Sequence, residues 1–386
     1  MHVWRRYPSR VAAGLCAVVV ATSLLAGWSI GAHATAWPSP TRALFAFGDS
    51  IAAGEGVGPS SGFPDNPGAY PNAVASQLQL HAFNFAVSGA TSASVLSAQL
   101  PQAEQYVAQH RAVQPQLITL TVGANDIQFV DCLESLGFGL VGANTPDPCS
   151  GSTFDQHVAA LRTNIAAFVA RVHSDFPGVQ IAITQYFDMF PTAVTAEKSS
   201  VCSLMPYLWA LHEAQQGHLA SLGWSIVNRS FDGKVAAYQG QLHDRTLAVL
   251  RTLNDAIAAG AGSSASVVPL DFTGHDFCAD YPGAGVGWIF APAATGHIDV
   301  HWAGLSRTRD FAFAPTDTCT PQRPAPGCNE VDAIQTAGTK SFSEAFQKVT
   351  VDYRVDVALN AFPHLTPAGN TQVARVITQH VSPPTP

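Results

Sequence analysis

The fold is decided by the stretch RALFAFGDSIAAG, which occupies residues 42–54. Its mainly apolar run, 42–47, ends at Gly48-Asp49-Ser50, and this pattern predicts a buried strand that leads into a turn. Later apolar runs have the same form, at 81–86, 117–122, 180–185 and 266–270. Helical patterns between the runs predict helices at 69–79, 100–112, 154–175, 206–222 and 234–259. Strands that alternate with helices predict an α/β fold, a three-layer α/β/α arrangement around a mostly parallel central sheet.

Small and polar residues follow the first three predicted strands. They are Gly48-Asp49-Ser50, Ser88-Gly89 and Gly123-Ala124-Asn125-Asp126. In open α/β sheets, ligands bind at the carboxyl ends of the strands. We therefore expect these three segments to converge on one site.

The region from Phe272 to about Tyr353 breaks the strand–helix rhythm. It is rich in glycine, proline and aromatic residues, and it holds three of the cysteines. We interpret it as a disulfide-containing insertion or lid, at about 272–353, and not as an independent domain. The predicted organisation is therefore a signal peptide at 1–36 followed by one large α/β domain at 37–386.

The first 36 residues have the features of an export signal. An apolar stretch, 11–30, is followed by Ala32-His33-Ala34, which has the small-x-small form of a cleavage site. Basic residues precede it at Arg5, Arg6 and Arg10. We predict a secreted, extracellular protein that loses this segment near Ala34 or Ala36. The alternative is a protein anchored in the cell envelope by an uncleaved segment, since about 20 apolar residues just span a bilayer.

The charge balance argues against nucleic acid as a partner. Lysine and arginine total 19, aspartate and glutamate total 27, and the net charge is −8. The predicted signal segment holds three of the arginines and no acidic residue, so its removal makes the chain still more acidic. An acidic surface without a basic cluster does not attract phosphate backbones.

The cysteines indicate a disulfide framework. One of the seven, Cys16, lies in the predicted signal segment, and an even number remains behind it. Sequence alone does not fix the pairing, and our hypothesis is sequential pairing: Cys132 with Cys149, Cys202 with Cys278, and Cys319 with Cys328. A zinc site is the alternative, but no CxxC spacing supports it.

Four blocks of the chain together resemble the GDSL (SGNH) hydrolase family. The first is FAFGDSIAAG, residues 45–54, and the second is Ser88-Gly89-Ala90. The third, Gly123-Ala124-Asn125-Asp126, matches the family's Gly-x-Asn-Asp, and the last is HLTPAG, residues 364–369, at the start of a final helix. The resemblance covers roughly 43–376, with the insertion between the third and last blocks. It implies a flavodoxin-like SGNH fold and the activity of a secreted carboxylic-ester hydrolase, an esterase or lipase.

The resemblance also implies the roles of the site residues. A serine hydroxyl is a weak nucleophile and needs an adjacent base, so Ser50 is the expected nucleophile and His364 the expected base. The oxyanion hole would be formed by the backbone N–H groups of Ser50 and Gly89 and by the side chain of Asn125. Asp49 and Asp126 are expected to be structural, because a carboxylate beside a turn accepts backbone N–H bonds.

The chain departs from the family at one position. The family's acid stands three residues before the histidine, and here that residue is Ala361. We expect a backbone carbonyl to orient His364 in a Ser–His dyad, with Asp356 as the nearest alternative acid. A carbonyl can fix the imidazole tautomer but brings no full charge to stabilise the imidazolium.

The remaining expectations concern ligands and rival functions. No cofactor or metal is expected, although His297, Asp299 and His301 would share one face of a strand and could chelate a metal there. The expected partner is a small-molecule or lipid ester met by a monomeric chain, with contact at a lipid interface left open. The rival functions are an O-acetyl esterase of polysaccharide or cell-wall sugars, and a non-catalytic surface-binding protein on the same scaffold.

Overall fold

The computed structural model of the chain describes residues 40–57, 66–129, 131–132, 148–189, 230–276, 287–289, 293–302, 304–313, 333–344, 347–358 and 364–383. Its helices are α1 (Ser50–Ala53), α2 (Tyr70–Leu78), α3 (Ser92–Ser94), α4 (Leu100–Gln109), α5 (Gly151–Asp175), α6 (Ser230–Ala261) and α7 (Pro367–His380). Its first five strands are β1 (Thr41–Gly48), β2 (His81–Asn84), β3 (Val113–Thr121), β4 (Gln180–Thr184) and β5 (Ser266–Val268). Four more strands follow: β6 (Ala293–Trp302), β7 (Leu305–Phe313), β8 (Ala333–Glu344) and β9 (Gln347–Ala358).

The first five strands form one parallel sheet in the order β2-β1-β3-β4-β5. The predicted α/β fold with its parallel central sheet is confirmed. In chain order, β1 is followed by β2 on one side of it and then by β3 on its other side. This reversal of strand order is a topological switch point, where the carboxyl ends of β1 and β3 leave a crevice.

The apolar run of the opening stretch forms the buried centre of the sheet. Every residue from Ala43 to Phe47 is fully buried. Phe45 meets Phe83 edge to face, and Phe47 stacks on Phe85 with 5.5 Å between ring centroids. Because a buried phenylalanine contributes roughly 1.5–3 kcal/mol, this strand is a main source of the stability of the sheet.

Helices pack in pairs against this sheet. α5 packs on α6, and α7 packs on α2. The final helix begins at Thr366, whose side chain accepts the N–H of Gly369, with Pro367 at the first helical position. The predicted helices at 69–79, 100–112, 154–175 and 234–259 are confirmed within a few residues, whereas 206–222 lies outside the described residues.

Gly48 ends β1 where no other residue fits. Its φ is +134°, and a Cβ there would overlap the carbonyl oxygen of Thr121 on the neighbouring strand. The side chain of Gln99 pairs with both backbone groups of Gly48, with hydrogen bonds of 2.9 and 2.8 Å. The turn that follows is therefore held by its neighbours as well as by its own sequence.

The second sheet is antiparallel, in the order β7-β6-β9-β8. The sequence predicted an insertion here without predicting these strands, and β9 continues to Ala358, past the predicted end near 353. The stretch QKVTVDYRVDVA in β9 alternates polar and apolar residues, which is the period-two signal of a strand. This signal was not recognised in the sequence because the surrounding region is rich in glycine, proline and aromatic residues, which are typical of loops when they occur together.

A disulfide joins Cys132 and Cys149, the first of the three predicted pairs. It ties the chain that follows Asn125-Asp126 to the residues just before α5. Cys202, Cys278, Cys319 and Cys328 lie outside the described residues, so the other two pairings stay predictions. The predicted signal segment also lies outside them, and no helix in the described part of the chain is long and apolar enough to cross a membrane.

Candidate active site

The serine turn is fixed by the carboxylate of Asp49. Asp49 caps helix α1, and its Oδ1 accepts the N–H of Ile51 at 3.0 Å. Ser50 is the first residue of that helix. The N–H groups of a first helical turn have no carbonyl partner within the helix, so the Ser50 N–H takes no part in the hydrogen bonding of α1. This is the structural role that the sequence predicted for Asp49.

Tyr186, which sequence reasoning missed, holds the other oxygen of this carboxylate. Its hydroxyl donates to Oδ2 of Asp49 and accepts the N–H of Ala124 at 3.2 Å. Burial raises the pKa of Asp49 to about 7, and burial together with the nearby Asp49 raises the pKa of Tyr186 well above its ordinary value. Tyr186 thus links the ends of β1, β3 and β4, although no local pattern distinguishes it in the sequence.

The second segment of the predicted site runs beside the first. The N–H of Val87 donates to the carbonyl of Gly48 at 3.1 Å, which extends the pairing of β2 with β1 beyond the strand. Gly89 has a φ of +76° and is exposed, and a Cβ would meet nothing there. Glycine is therefore favoured by the left-handed backbone that turns this segment.

Asn125 completes the set of predicted oxyanion donors. Its Nδ2 donates to the carbonyl of Ala90 at 3.0 Å, which leaves the second hydrogen of the amide to bind a ligand oxygen. The residue after it, Asp126, accepts the N–H of Ser92 with both carboxylate oxygens, at 3.1 and 2.9 Å. Asp126 therefore joins the Asn125 turn to the start of α3, and burial raises the pKa of this carboxyl.

His364 lies just before α7, in a segment that is held by hydrogen bonds to two other parts of the chain. Leu365 pairs with Ile289, and the backbone N–H of Thr366 donates to the carbonyl of Trp288 at 3.0 Å. Asn370 donates to the carbonyl of Leu365 at 3.2 Å and accepts the N–H of Tyr70 at 2.8 Å. The histidine is thereby fixed relative to α2 as well as to its own helix.

Glu55 joins the histidine to the serine turn, and the sequence analysis did not single it out. Its N–H donates to the carbonyl of Ser50 at 3.0 Å, and its carboxylate accepts the hydroxyl of Ser88. The distance from its Oε2 to Nε2 of His364 is 3.7 Å. The position of Glu55 in Gly54-Glu55-Gly56, directly after the serine turn, is the sequence signal that could have found it.

The predicted site residues are thus brought to one edge of the sheet from distant parts of the chain. The contacts of Glu55 join these segments: its backbone N–H bonds to the carbonyl of Ser50, and its carboxylate lies beside Ser88 and His364. Ala361 lies outside the described residues. Asp356, the alternative acid, lies in β9 in register with Thr295.

A cavity of about 360 Å³ opens at the same edge, beyond the ends of β4 and β5. Tyr186 and Asn254 line it together with Phe272 and Asp276. None of Ser50, Gly89, Asn125 and His364 is among its lining residues. Tyr186 therefore stands between this cavity and the serine turn.

The polar residues of β6 do share one face, as the sequence predicted. Nε2 of His297 lies 2.9 Å from the carboxylate of Asp299, and Nε2 of His301 lies 3.4 Å from that of Asp352. Within the described ranges, no group of three or more histidine, cysteine or acidic side chains could hold a metal ion. These side chains form exposed pairs on a sheet face.

The chain belongs to the GDSL-like lipase/acylhydrolase family. The model of that family matches residues 46–301, which is more than half of the chain and includes the Ser50, Gly89 and Asn125 segments. No curated protein matches the sequence significantly.

Solved structures that resemble parts of the chain include lipases and carbohydrate esterases, all at low identity. An extracellular lipase from Streptomyces rimosus is 17% identical with a TM-score of 0.40, over 64% of this chain and 87% of its own. A phospholipase A1 from Streptomyces albidoflavus is 18% identical with a TM-score of 0.42, over 71% of this chain and 92% of its own. An acetyl xylan esterase from the rumen bacterium Butyrivibrio proteoclasticus is 17% identical with a TM-score of 0.27, over 47% of this chain and 54% of its own.

Proposed function

We propose that the protein is a secreted serine esterase or lipase that hydrolyses carboxylic esters with Ser50 as nucleophile and His364 as base. The observation that carries the proposal is the set of contacts of Glu55, whose backbone N–H donates to the carbonyl of Ser50 and whose carboxylate accepts the Ser88 hydroxyl and lies 3.7 Å from Nε2 of His364. Family motifs that are far apart in the chain thereby meet at one edge of the sheet. Membership of a family of acylhydrolases supports the reaction class.

The proposed reaction begins with attack of the Ser50 Oγ on the carbonyl carbon of the ester. The Oγ proton passes to His364 as the new bond forms, and the carbonyl electron pair moves onto oxygen. The N–H groups of Ser50 and Gly89 and the amide of Asn125 would bind that oxyanion. Such donors act on charge that develops only in the transition state, so they lower the barrier without tightening ground-state binding.

Collapse of the tetrahedral intermediate then releases the alcohol, which takes the proton from His364. Water enters, gives a proton to His364 and attacks the acyl group, and a second tetrahedral intermediate releases the acid and restores Ser50. Every step uses groups of this chain and water, and no cofactor enters the proposed scheme.

The test is to measure hydrolysis of chromogenic esters of graded acyl length by the wild-type protein and by Ser50→Ala. We expect wild-type turnover and its loss in the variant, because only the hydroxyl is removed from a turn that Asp49 and Gly48 hold. Substantial activity in a folded Ser50→Ala protein, or an inactive wild type, would refute the proposal. Inactivity together with tight ester binding would instead favour the non-catalytic alternative.

The same panel, extended to acetylated glycans and long-chain lipids, separates the rival substrate classes. Turnover confined to acetylated glycans would replace the esterase or lipase proposal with the O-acetyl esterase alternative.

Export is tested separately, by sequencing the amino terminus of the protein recovered from the culture medium. A terminus near residue 35 or 37 supports cleavage of the signal, whereas an intact terminus in the cell envelope supports the anchor.

A further inference from the structure

We propose that Glu55 is the positioning carboxylate of this site and supplies the negative charge that the family's acid provides elsewhere. The inference rests on the proposed function, because it concerns the charge state of His364 during ester hydrolysis. The family's acid position is occupied by Ala361, which has no ionisable group. Glu55 lies far from that position in the sequence and reaches the histidine through the fold.

Glu55 lies close to the proposed base. Its Oε2 is 3.7 Å from Nε2 of His364, the nitrogen that would carry the proton taken from Ser50. Opposite charges at this separation attract each other, and they do so more strongly where less water surrounds them. The carboxylate therefore stabilises the imidazolium as soon as the proton arrives, and that proton still leaves on the departing alcohol.

The pair formed by Glu55 and His364 is partly shielded from water. The side chains of His364 and Glu55 are 15% and 20% exposed, so water only partly screens their interaction. By contrast, His301 and Asp352 in the antiparallel sheet are 48% and 45% exposed at a similar separation. A charge interaction has more effect where less water lies between and around the groups.

Glu55 is held in place by both its backbone and its side chain. The backbone N–H of Glu55 donates to the carbonyl of Ser50 at 3.0 Å, and the hydroxyl of Ser88 donates to Oε2 of Glu55. The turn before it is held by Asn66, whose Nδ2 donates to the carbonyls of Ala53 and Gly54 at 2.8 and 3.0 Å. Asn66 is fully buried. Glu55 is thus oriented by both the serine segment and the segment that carries Gly89.

This role differs from that of a tautomer-fixing acid. The contact of Glu55 is with Nε2, whereas a triad acid binds Nδ1. A backbone carbonyl at Nδ1 and the Glu55 carboxylate near Nε2 would divide between them the two tasks of a triad acid. The dyad expected from the sequence would then be supplemented by a remote charge.

The experiment compares Glu55→Gln, Glu55→Asp and Ser88→Ala with the wild type on one short-chain ester. Glu55→Gln keeps an acceptor for Ser88 and removes the charge, so kcat should fall by about 10-fold to 100-fold with KM and Tm unchanged. Glu55→Asp should recover part of the loss because it restores the charge at a longer distance. Ser88→Ala should lose much less than Glu55→Gln, since it keeps the carboxylate.

Glu104→Gln is the matched control, because Glu104 lies outside the site and pairs with Arg171 at 2.6 Å. An unchanged kcat in Glu55→Gln would overturn the inference, as would a loss in Ser88→Ala equal to that in Glu55→Gln. A loss that follows a lowered Tm or a raised KM would also overturn it, since that indicates a structural role. The proposed function stands or falls separately, on whether the wild type is active and Ser50→Ala inactive.

Discussion

Asp49 at the edge of the parallel sheet and Asp299 in the antiparallel sheet are both hydrogen-bonded carboxylates, yet their pKa values move in opposite directions. Burial raises the pKa of Asp49 to about 7, despite hydrogen bonds from Tyr186 and Ile51. Hydrogen bonds from Thr308 and His297 lower the pKa of Asp299, which water reaches. Ionising an aspartate therefore costs free energy at the buried edge of the parallel sheet, whereas it is favoured on the exposed face of the antiparallel sheet.

The two regions also differ in how their histidines are surrounded. His364 lies in a shielded cluster with carboxylate and hydroxyl groups from separate segments, whereas His297 and His301 are each paired with an aspartate on an exposed face of the antiparallel sheet. We therefore expect a reaction that depends on charge stabilisation to take place at the edge of the parallel sheet, where water is partly excluded. Substitutions at that edge are therefore best compared with matched substitutions in the antiparallel sheet.

The largest difference is expected between His364→Ala and His301→Ala. Loss of the base should lower kcat by roughly 10⁴-fold to 10⁶-fold, since a serine nucleophile without its base is nearly inert. His301→Ala should leave kcat unchanged, because its exposed pair with Asp352 lies in the other sheet. Steady-state ester hydrolysis by both purified variants measures the difference. Comparable activities in two folded variants would remove His364 from the mechanism.

Gly48→Ala and Gly304→Ala should differ strongly in stability. Both glycines have positive φ, but a Cβ at Gly48 overlaps the Thr121 carbonyl, whereas one at Gly304 meets nothing. Backbone strain and overpacking together should destabilise Gly48→Ala by about 3 kcal/mol or more, while strain alone costs Gly304→Ala about 1–2 kcal/mol. Denaturant unfolding of both variants is the measurement. Equal midpoints would mean that the β1–β3 contact relaxes easily.

Asp49→Asn should change how stability depends on pH. The folded pKa of Asp49, about 7, lies above the ordinary value of 3.8, so its protonated form is favoured by folding. The resulting stabilisation is fully present below pH 4 and is lost as pH rises through 7, by on the order of 4 kcal/mol. The amide that replaces the carboxyl does not titrate, so the variant should gain stability relative to wild type between pH 4 and pH 8.

Asp299→Asn is the control for this pH dependence. The pKa of Asp299 is lowered, so its contribution is present above its ordinary pKa and is lost as pH falls. The stability difference from wild type should therefore change with pH in the opposite sense and by a small amount, because the group is exposed. Unfolding free energies at pH 4 and pH 8 test both variants. A difference between wild type and Asp49→Asn that does not vary with pH would contradict the raised pKa.

Asn125→Ala should lower kcat by about 10²-fold to 10³-fold with little change in KM. The amide would bind oxygen only after charge develops on it, so ground-state binding does not depend on it. Thr308→Ala, which removes a hydroxyl bonded to Asp299 in the antiparallel sheet, should leave both constants unchanged. A rise in KM without a fall in kcat would show that Asn125 binds substrate and not the oxyanion.

The parallel sheet could be predicted closely because its strands have a strong local signal. The run Ala43 to Phe47 is apolar throughout, as a strand buried on both faces requires, and it ends at a glycine. The final helix begins at Thr366-Pro367, where capping and proline preferences agree. The antiparallel strands, by contrast, have half-polar sequences whose signal was concealed by glycine and proline nearby.

The sequence by itself determined the α/β class, the succession of strands and helices along the chain and, through the family resemblance, the candidate residues Ser50, Gly89, Asn125 and His364. These follow from local periodicity and from short motifs, in which each residue is defined by its immediate neighbours. Only the tertiary structure brought Tyr186 to Asp49 and Glu55 to His364. Those contacts join residues far apart in the chain, and their effect depends on burial. Distance and the exclusion of water are properties of the packed fold, and no local pattern of residues specifies them.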